Sequence, residues 1–185
     1  MRLPLPDRPL LLLGTGLLLL AVAARCGAGE PPTIGPGGVD GLVIPASLPL
    51  DPADYVTRPD GNRYLPLPDA RLADVEGIAV ARWEHGGVVD LVAEDAAGDL
   101  WWFGREGEWV AGEDGARPGL LVPARPRRGD GFQRALVPGL VDQSATVAAV
   151  GDGTLTLDVA DPLDPAVAGR EIYEVDRGLV SPADG

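Results

Sequence analysis

From Asn62 onward the chain is a succession of short apolar runs, each closed by glycine, proline or aspartate, and nowhere does it hold the 3.6-residue spacing of an amphipathic helix. That punctuation is dense, with 26 glycines and 19 prolines in 185 residues, which favours many short strands over long helices. The clearest run is Thr154–Val159. Leu155, Leu157 and Val159 fall on one face of an extended chain, and Thr154, Thr156 and Asp158 on the other. Gly151-Asp152-Gly153 separates it from Ala145–Val150, so the two runs predict a hairpin. A second hairpin is predicted between Val88–Ala93 and Leu100–Phe103 across Asp95–Asp99. Gly77–Trp83 joins it through His85-Gly86-Gly87, and further strands are expected at Gly119–Val122, Phe132–Val137 and Arg170–Val175. Strands joined by short turns predict a mainly all-β fold, an antiparallel meander forming a curved sheet or half-barrel.

The N-terminus reads differently. Arg2 and Arg8 precede an apolar stretch from Leu10 to Ala24, shorter than the roughly 20 residues of a membrane-spanning helix and the right length for a signal segment. Residues 1–25 are therefore expected to be a signal peptide, 26–60 a Pro/Gly-rich tether, and 61–182 the β domain. Within the tether, Leu42-Val43-Ile44 is a candidate edge strand. Cleavage after Ala21-Val22-Ala23 would leave Ala24 first. Alternatively, Ala23-Ala24-Arg25-Cys26 resembles a lipobox, although Arg25 departs from the small residue such a site carries. Cys26 is the single cysteine and has no disulfide partner within the chain. Its place just after the apolar stretch suits lipidation. The chain is thus expected outside the cytoplasm, secreted or anchored to the membrane through Cys26.

The formal net charge of −13 opposes phosphate backbones, and no basic stripe appears beyond Arg125, Arg127 and Arg128. Nucleic acid is excluded as a partner on that ground. Nucleophilic catalysis is poorly supplied. Ser47, Ser144 and Ser181 lie outside any Gly-x-Ser-x-Gly turn, and the one histidine, His85, is expected as an exposed, inert imidazole in a His-Gly-Gly turn. A zinc site lacks its ligands, and Asp152, Asp158, Asp161 and Asp164 do not follow the spacing of an EF-hand. Neither a metal nor a cofactor is expected. Glu106, Glu108, Glu113 and Asp114, with Asp158, Asp161 and Asp164, supply carboxylates for acid–base chemistry, but Asp-Gly and Asp-Pro are first of all turn formers. Because adjacent residues on a strand point to opposite faces, one of Trp101 and Trp102 is expected to look away from the core, either onto a ligand or under the Trp109 loop.

The stretch from Asp95 to Leu121 contains Trp109, Ala111, Gly112, Asp114-Gly115-Ala116 and Pro118-Gly119, a W-x-A-G-x-D-G-A-x-P-G pattern. It follows Asp95, Gly98, Trp101 and Gly104. Asn62-Arg63-Tyr64-Leu65-Pro66-Leu67-Pro68 and Gly129-Asp130 with Phe132-Gln133 bracket it, and Pro162–Pro165 and Gly178-Leu179-Val180 close the chain. This resembles an uncharacterised β-rich domain family of secreted and lipid-anchored bacterial proteins, over roughly Asn62 to Val180. Asp69-Ala70-Arg71-Leu72 replaces the family's G-T-x-W-x-Y, and the segment between Gly104 and Trp109 is short, as in a diverged and shortened member. The resemblance implies fold and location and brings no established activity. The expected function is that of a non-catalytic envelope domain binding a small amphipathic ligand or a partner protein, with Trp101, Trp102, Trp109 and Asp114 as candidate contacts. The alternatives are a carboxylate-based hydrolase of envelope polymers and a purely structural envelope protein.

Overall fold

The two residues of each tight turn decide how this sheet is drawn. At Asp152-Gly153 both φ angles are positive (50° and 78°), and Gly151 pairs directly with Thr154. Such a turn has the twist that antiparallel strands need, and aspartate followed by glycine tolerates it. The same geometry recurs at Gly86-Gly87, between His85 and Val88. The computed structural model describes residues 51–182. The signal segment at 1–25, Cys26, most of the tether and the Leu42–Ile44 strand lie outside these residues.

Thirteen strands follow in order among the described residues. They are β1 (Gly61–Asn62), β2 (Leu65–Pro66), β3 (Leu72–Val75), β4 (Ile78–His85), β5 (Val88–Glu94), β6 (Leu100–Arg105) and β7 (Trp109–Val110). Next come β8 (Arg117–Val122), β9 (Gly131–Val137), β10 (Val141–Gly151), β11 (Thr154–Ala160), β12 (Gly169–Glu174) and β13 (Gly178–Pro182). β1 and β2 form a small hairpin of their own. The others make one antiparallel meander in the order β13-β12-β11-β10-β9-β8-β6-β5-β4-β3, with β7 added to β6. The sheet is not closed, and β3 and β13 are its edges. All the predicted hairpins are present.

β8 divides the meander into two halves. Its first residues, Arg117 and Pro118, pair with Leu136 and Ala135 of β9, and Gly119 to Val122 pair with β6. A strand that changes partners in mid-course turns a corner between two sheets. Gly119 sits at that corner, where an added Cβ would lie 2.4 Å from the carbonyl carbon and oxygen of Arg134. No other residue type fits so close a backbone approach. The core draws on both halves of the roll: Val80, Ala81 and Val92 from one, and Val147, Leu155, Leu157 and Tyr173 from the other. The alternation read in Thr154–Val159 is reproduced, with Leu155, Leu157 and Val159 buried and Asp158 exposed.

One end of the roll is plugged by the β1–β2 hairpin. Asn62 donates from Nδ2 to the carbonyls of Gly98 and Val122 (3.2 and 3.1 Å), and its Oδ1 accepts from the amides of Tyr64 and Leu65. Glu94 Oε2 accepts from the amides of Asp60 and Gly61, and the amide of Asp176 donates to the carbonyl of Arg63. Tyr64, Leu65 and Leu67 are buried beneath. The last residues of the expected tether belong to this plug. After a 3-10 turn (Pro52–Asp54), Tyr55 bridges to Asp95 and is buried edge-on against Phe103, ring centroids 5.2 Å apart. The domain therefore takes in residues upstream of 61. The signal is a lone aromatic, which a Pro-rich context disguises.

Candidate functional site

At the opposite end of the roll the interior is charged. Asp90 lies four residues before Glu94 on β5, about 13 Å of strand away from the plug. Strand register places Trp83, Asp90, Arg105 and Trp109 in one row across β4, β5, β6 and β7. Cross-strand partners share a face, so this row looks into the roll together with His85, two residues beyond Trp83. A β-bulge adds Phe103 to β6 between the pairs Val92–Trp102 and Leu91–Gly104. The extra residue re-aims the strand, so that Trp102 and Arg105 meet on one side, with the guanidinium 5.1 Å from the centre of the Trp102 ring.

Asp90 is 2 % exposed and both of its oxygens are engaged. Oδ1 accepts from Arg105 Nε at 2.7 Å, and Oδ2 accepts from Arg105 Nη2 at 3.1 Å and from His85 Nε2 at 2.7 Å. An ionised carboxylate only accepts, so His85 Nε2 carries the proton of this bond. Burial alone would raise the Asp90 carboxyl. The hydrogen bonds from His85 and Arg105, with their charge, outweigh burial and hold it below the usual carboxylate range. The imidazole stacks on Trp83 at 3.7 Å. His85 thus ends β4 as a half-buried partner of Asp90, a correction to the exposed, inert turn residue expected from the sequence. Only Gly86 and Gly87 form the turn. The missed signal was the register, which brings position 90 back beside position 85.

The second half of the roll contributes Arg134, Glu171 and Tyr173. Arg134 is itself the extra residue of a bulge in β9, between the pairs Ala135–Gln143 and Gln133–Ser144, and this turns it inward. Its Nη1 donates to Glu171 Oε1 at 2.9 Å, and the Tyr173 hydroxyl donates to Glu171 Oε2 at 2.7 Å. Burial would raise Glu171. The Arg134 charge, then the hydrogen bonds from Arg134 and Tyr173, reverse this and lower it, and His85 adds to the effect. Burial pushes the Tyr173 phenol well up, and Glu171 reinforces that. For Arg134, burial opposes the charge, but the Glu171 carboxylate, helped by Asp90, keeps the guanidinium charged. The two trios therefore act on each other across the interior. His85, Arg105 and Glu171 are each about a quarter exposed and form the rim, with Asp90 and Arg134 behind them. The Nε of Arg134 is buried and has no hydrogen-bond partner.

The residues singled out from the sequence are placed as follows. Trp101 and Trp102 are both buried, and of the two placements expected for the one turned from the core, the position under the Trp109 loop is the one found. Trp101 Nε1 donates to Asp95 Oδ2 at 3.0 Å. Trp102 Nε1 donates to the carbonyl of Gly104, and its ring meets Trp109 edge-on at 5.1 Å. Trp102 thus lies against the Trp109 loop, and the three rings are packing elements with Trp102 and Trp109 backing the charged end. Asp114 is exposed with φ 49°, and with Gly115 it makes a tight turn in which the Ala116 amide donates to the Glu113 carbonyl. It is a turn residue. Among the described residues, the expected carboxylates do not converge. Glu106 pairs with Arg82, Asp158 with Arg170, Asp161 accepts from the amides of Asp142, Leu163 and Asp164, and Asp164 caps the 3-10 turn Pro165–Val167. No group of three or more His, Cys, Asp or Glu among the described residues is arranged to hold a metal ion. No helix among them is long and apolar enough to cross a membrane.

No protein-family model, curated protein or solved structure matches the chain.

Proposed function

We propose that this is an exported cell-envelope protein, secreted or anchored through lipid on Cys26, whose β domain binds a small amphipathic ligand or a partner protein without catalysing a reaction. One observation carries the binding half of this reading. The open end of the roll holds a charged cluster whose carboxylates are fully engaged while its guanidinium groups have donors left over. A fold that needed only a stable end would gain more from an apolar filling there, as buried ion pairs are weak contributors to stability. The kinship with the secreted, lipid-anchored W-x-A-G-x-D-G-A-x-P-G domains belongs to the same proposal.

The hydrolase alternative is less well supported. Glycoside hydrolysis wants one carboxyl kept protonated beside one that is ionised. Asp90 and Glu171 are both pushed toward the ionised form. Asp99 is the described carboxyl that burial, with Asp95 nearby, pushes up. Its Oδ1, however, accepts from the Ala124 amide at 2.7 Å, as part of the turn structure at the plugged end.

Native mass spectrometry of the protein extracted from its own envelope fraction tests the proposal. A mature chain carrying acyl groups on Cys26, or starting at Ala24, with a retained ligand or partner is the expected result. A bare, uncleaved chain with nothing retained contradicts it and favours a purely structural protein.

A further inference from the structure

The meander ends in two unequal edges. β13 closes on Pro182, which has no N–H to offer, and its first residue, Gly178, lies against the plug, where an added Cβ would meet Leu65 at 3.4 Å. β3 has no such cover. The Arg82 amide donates to the Arg71 carbonyl at 2.8 Å, which makes Arg71 and Arg82 a hydrogen-bonded pair. Pairing alternates from there along β3, so Ala73 and Val75 bond to β4, while the N–H and C=O of Leu72 and Asp74 point away from the sheet. No backbone hydrogen bond among the described residues uses these four outward groups. Leu72 stands in a cross-strand row with Ala81 and Val92, both fully buried, yet it is 48 % exposed. On the other face Ala73 pairs with Val80, also fully buried. An unpaired edge with apolar faces on both sides is a liability that proteins cover.

The chain itself leads to this edge. Val56 donates to the carbonyl of Glu94 at the end of β5, and Tyr55 bridges to Asp95. Three residues further upstream Pro52 packs on the β3–β4 turn, its Cγ 3.3 Å from where a Cβ on Gly77 would stand. From Val56 back to Pro52 the chain thus passes from β5 across the end of β4 to the edge strand. Seven residues before Asp51 comes Leu42-Val43-Ile44, followed by Pro45. Seven residues span up to roughly 24 Å and the four of β3 about 13 Å, so the apolar triplet reaches any point on β3. Three consecutive apolar residues suit a strand covered on both faces, and a proline ends it.

We propose that Leu42-Val43-Ile44 adds to β3 as a further strand, pairing with the outward groups of Leu72 and Asp74. The inference goes beyond the binding reading and does not depend on it. It divides the tether in two, leaving residues 27–41 as the link to Cys26. On the anchored reading that link sets the reach of the domain from the membrane, roughly 50 Å when extended.

Amide hydrogen exchange of the full chain, read by NMR at Leu72 and Asp74, tests this. Wild type should exchange about tenfold or more slowly at both amides than Val43→Pro or the double variant Leu42→Asp with Ile44→Asp. Leu157 in β11 should stay protected in every form, since the substitutions lie outside residues 51–182 and leave the domain folded. Equal exchange at Leu72 and Asp74 in all three forms overturns the proposal. If that shared rate slows as protein concentration rises, the edge belongs to a second copy of the chain instead.

Discussion

The two ends of the roll are built from the same strands and solve opposite problems. At the plugged end Asn62 uses its amide hydrogens and its carbonyl together, and Glu94 holds two backbone amides, so each engaged group closes the structure. At the charged end two ion pairs come from opposite halves of the sheet, three of the participants reach solvent, and one buried donor has no acceptor. Satisfied neutral hydrogen bonds stabilise a fold modestly and reliably. Buried charges, by contrast, balance a large desolvation penalty and contribute little beyond it. The plugged end thus closes the domain with satisfied hydrogen bonds, whereas the charged end sets paired charges against the cost of desolvating them.

Several substitutions bear on that contrast, the largest effect first. Asp90→Ala would leave the half-buried Arg105 guanidinium and His85 without their carboxylate and should cost about 3 kcal/mol in urea unfolding. Asn62→Ala removes four hydrogen bonds and leaves the carbonyls of Gly98 and Val122 without their donor. A loss of about 3 kcal/mol is expected by the same measurement. The ends should separate when whole sets are replaced. Asp90→Leu combined with Arg105→Met should be less destabilising than Asp90→Ala alone, as an apolar filling replaces an ion pair. A double variant worse than the single one would mean that the charged end is itself a main support of the fold.

Acid provides a second separation. Asp90 and Glu171 are held below their ordinary values, so their stabilisation is complete above the unfolded carboxylate range of about 4. It is lost as the pH falls through their lower folded values. Unfolding midpoints should therefore drop on acidification below about pH 4, more shallowly in Asp90→Asn, and with the wild-type slope in Asn62→Ala. The smallest change is at Asp114. Its left-handed backbone makes Asp114→Ala cost about 1 kcal/mol, with ligand retention unaltered. A loss of ligand in that variant would restore Asp114 to the contacts.

The meander was legible because its determinants are local. Gly151-Asp152-Gly153 names its turn, and the alternation of Leu155, Leu157 and Val159 names its buried face. The β13 edge, the corner at Gly119 and the short strands β1, β2, β3 and β7 carry no comparable pattern. They arise from pairings such as Arg117 with Leu136, which only the folded sheet brings together. The charged end was hidden for the same reason, compounded by two bulges. Reading Arg134 and Phe103 by simple alternation assigns the wrong faces, because each is the additional residue of its strand. At Trp101 and Trp102 both faces of β6 are covered. Trp109 lies over Trp102, and Trp101 reaches back to Asp95.

The contrast between the ends is tested most directly by comparing native mass spectra of three forms extracted from the envelope fraction: wild type, Arg105→Gln and Asn62→Ala. The account predicts a retained ligand or partner in the wild type, its loss in Arg105→Gln, and its persistence on the folded fraction of Asn62→Ala. Equal retention by the wild type and Arg105→Gln, or a bare chain in all three, would contradict it.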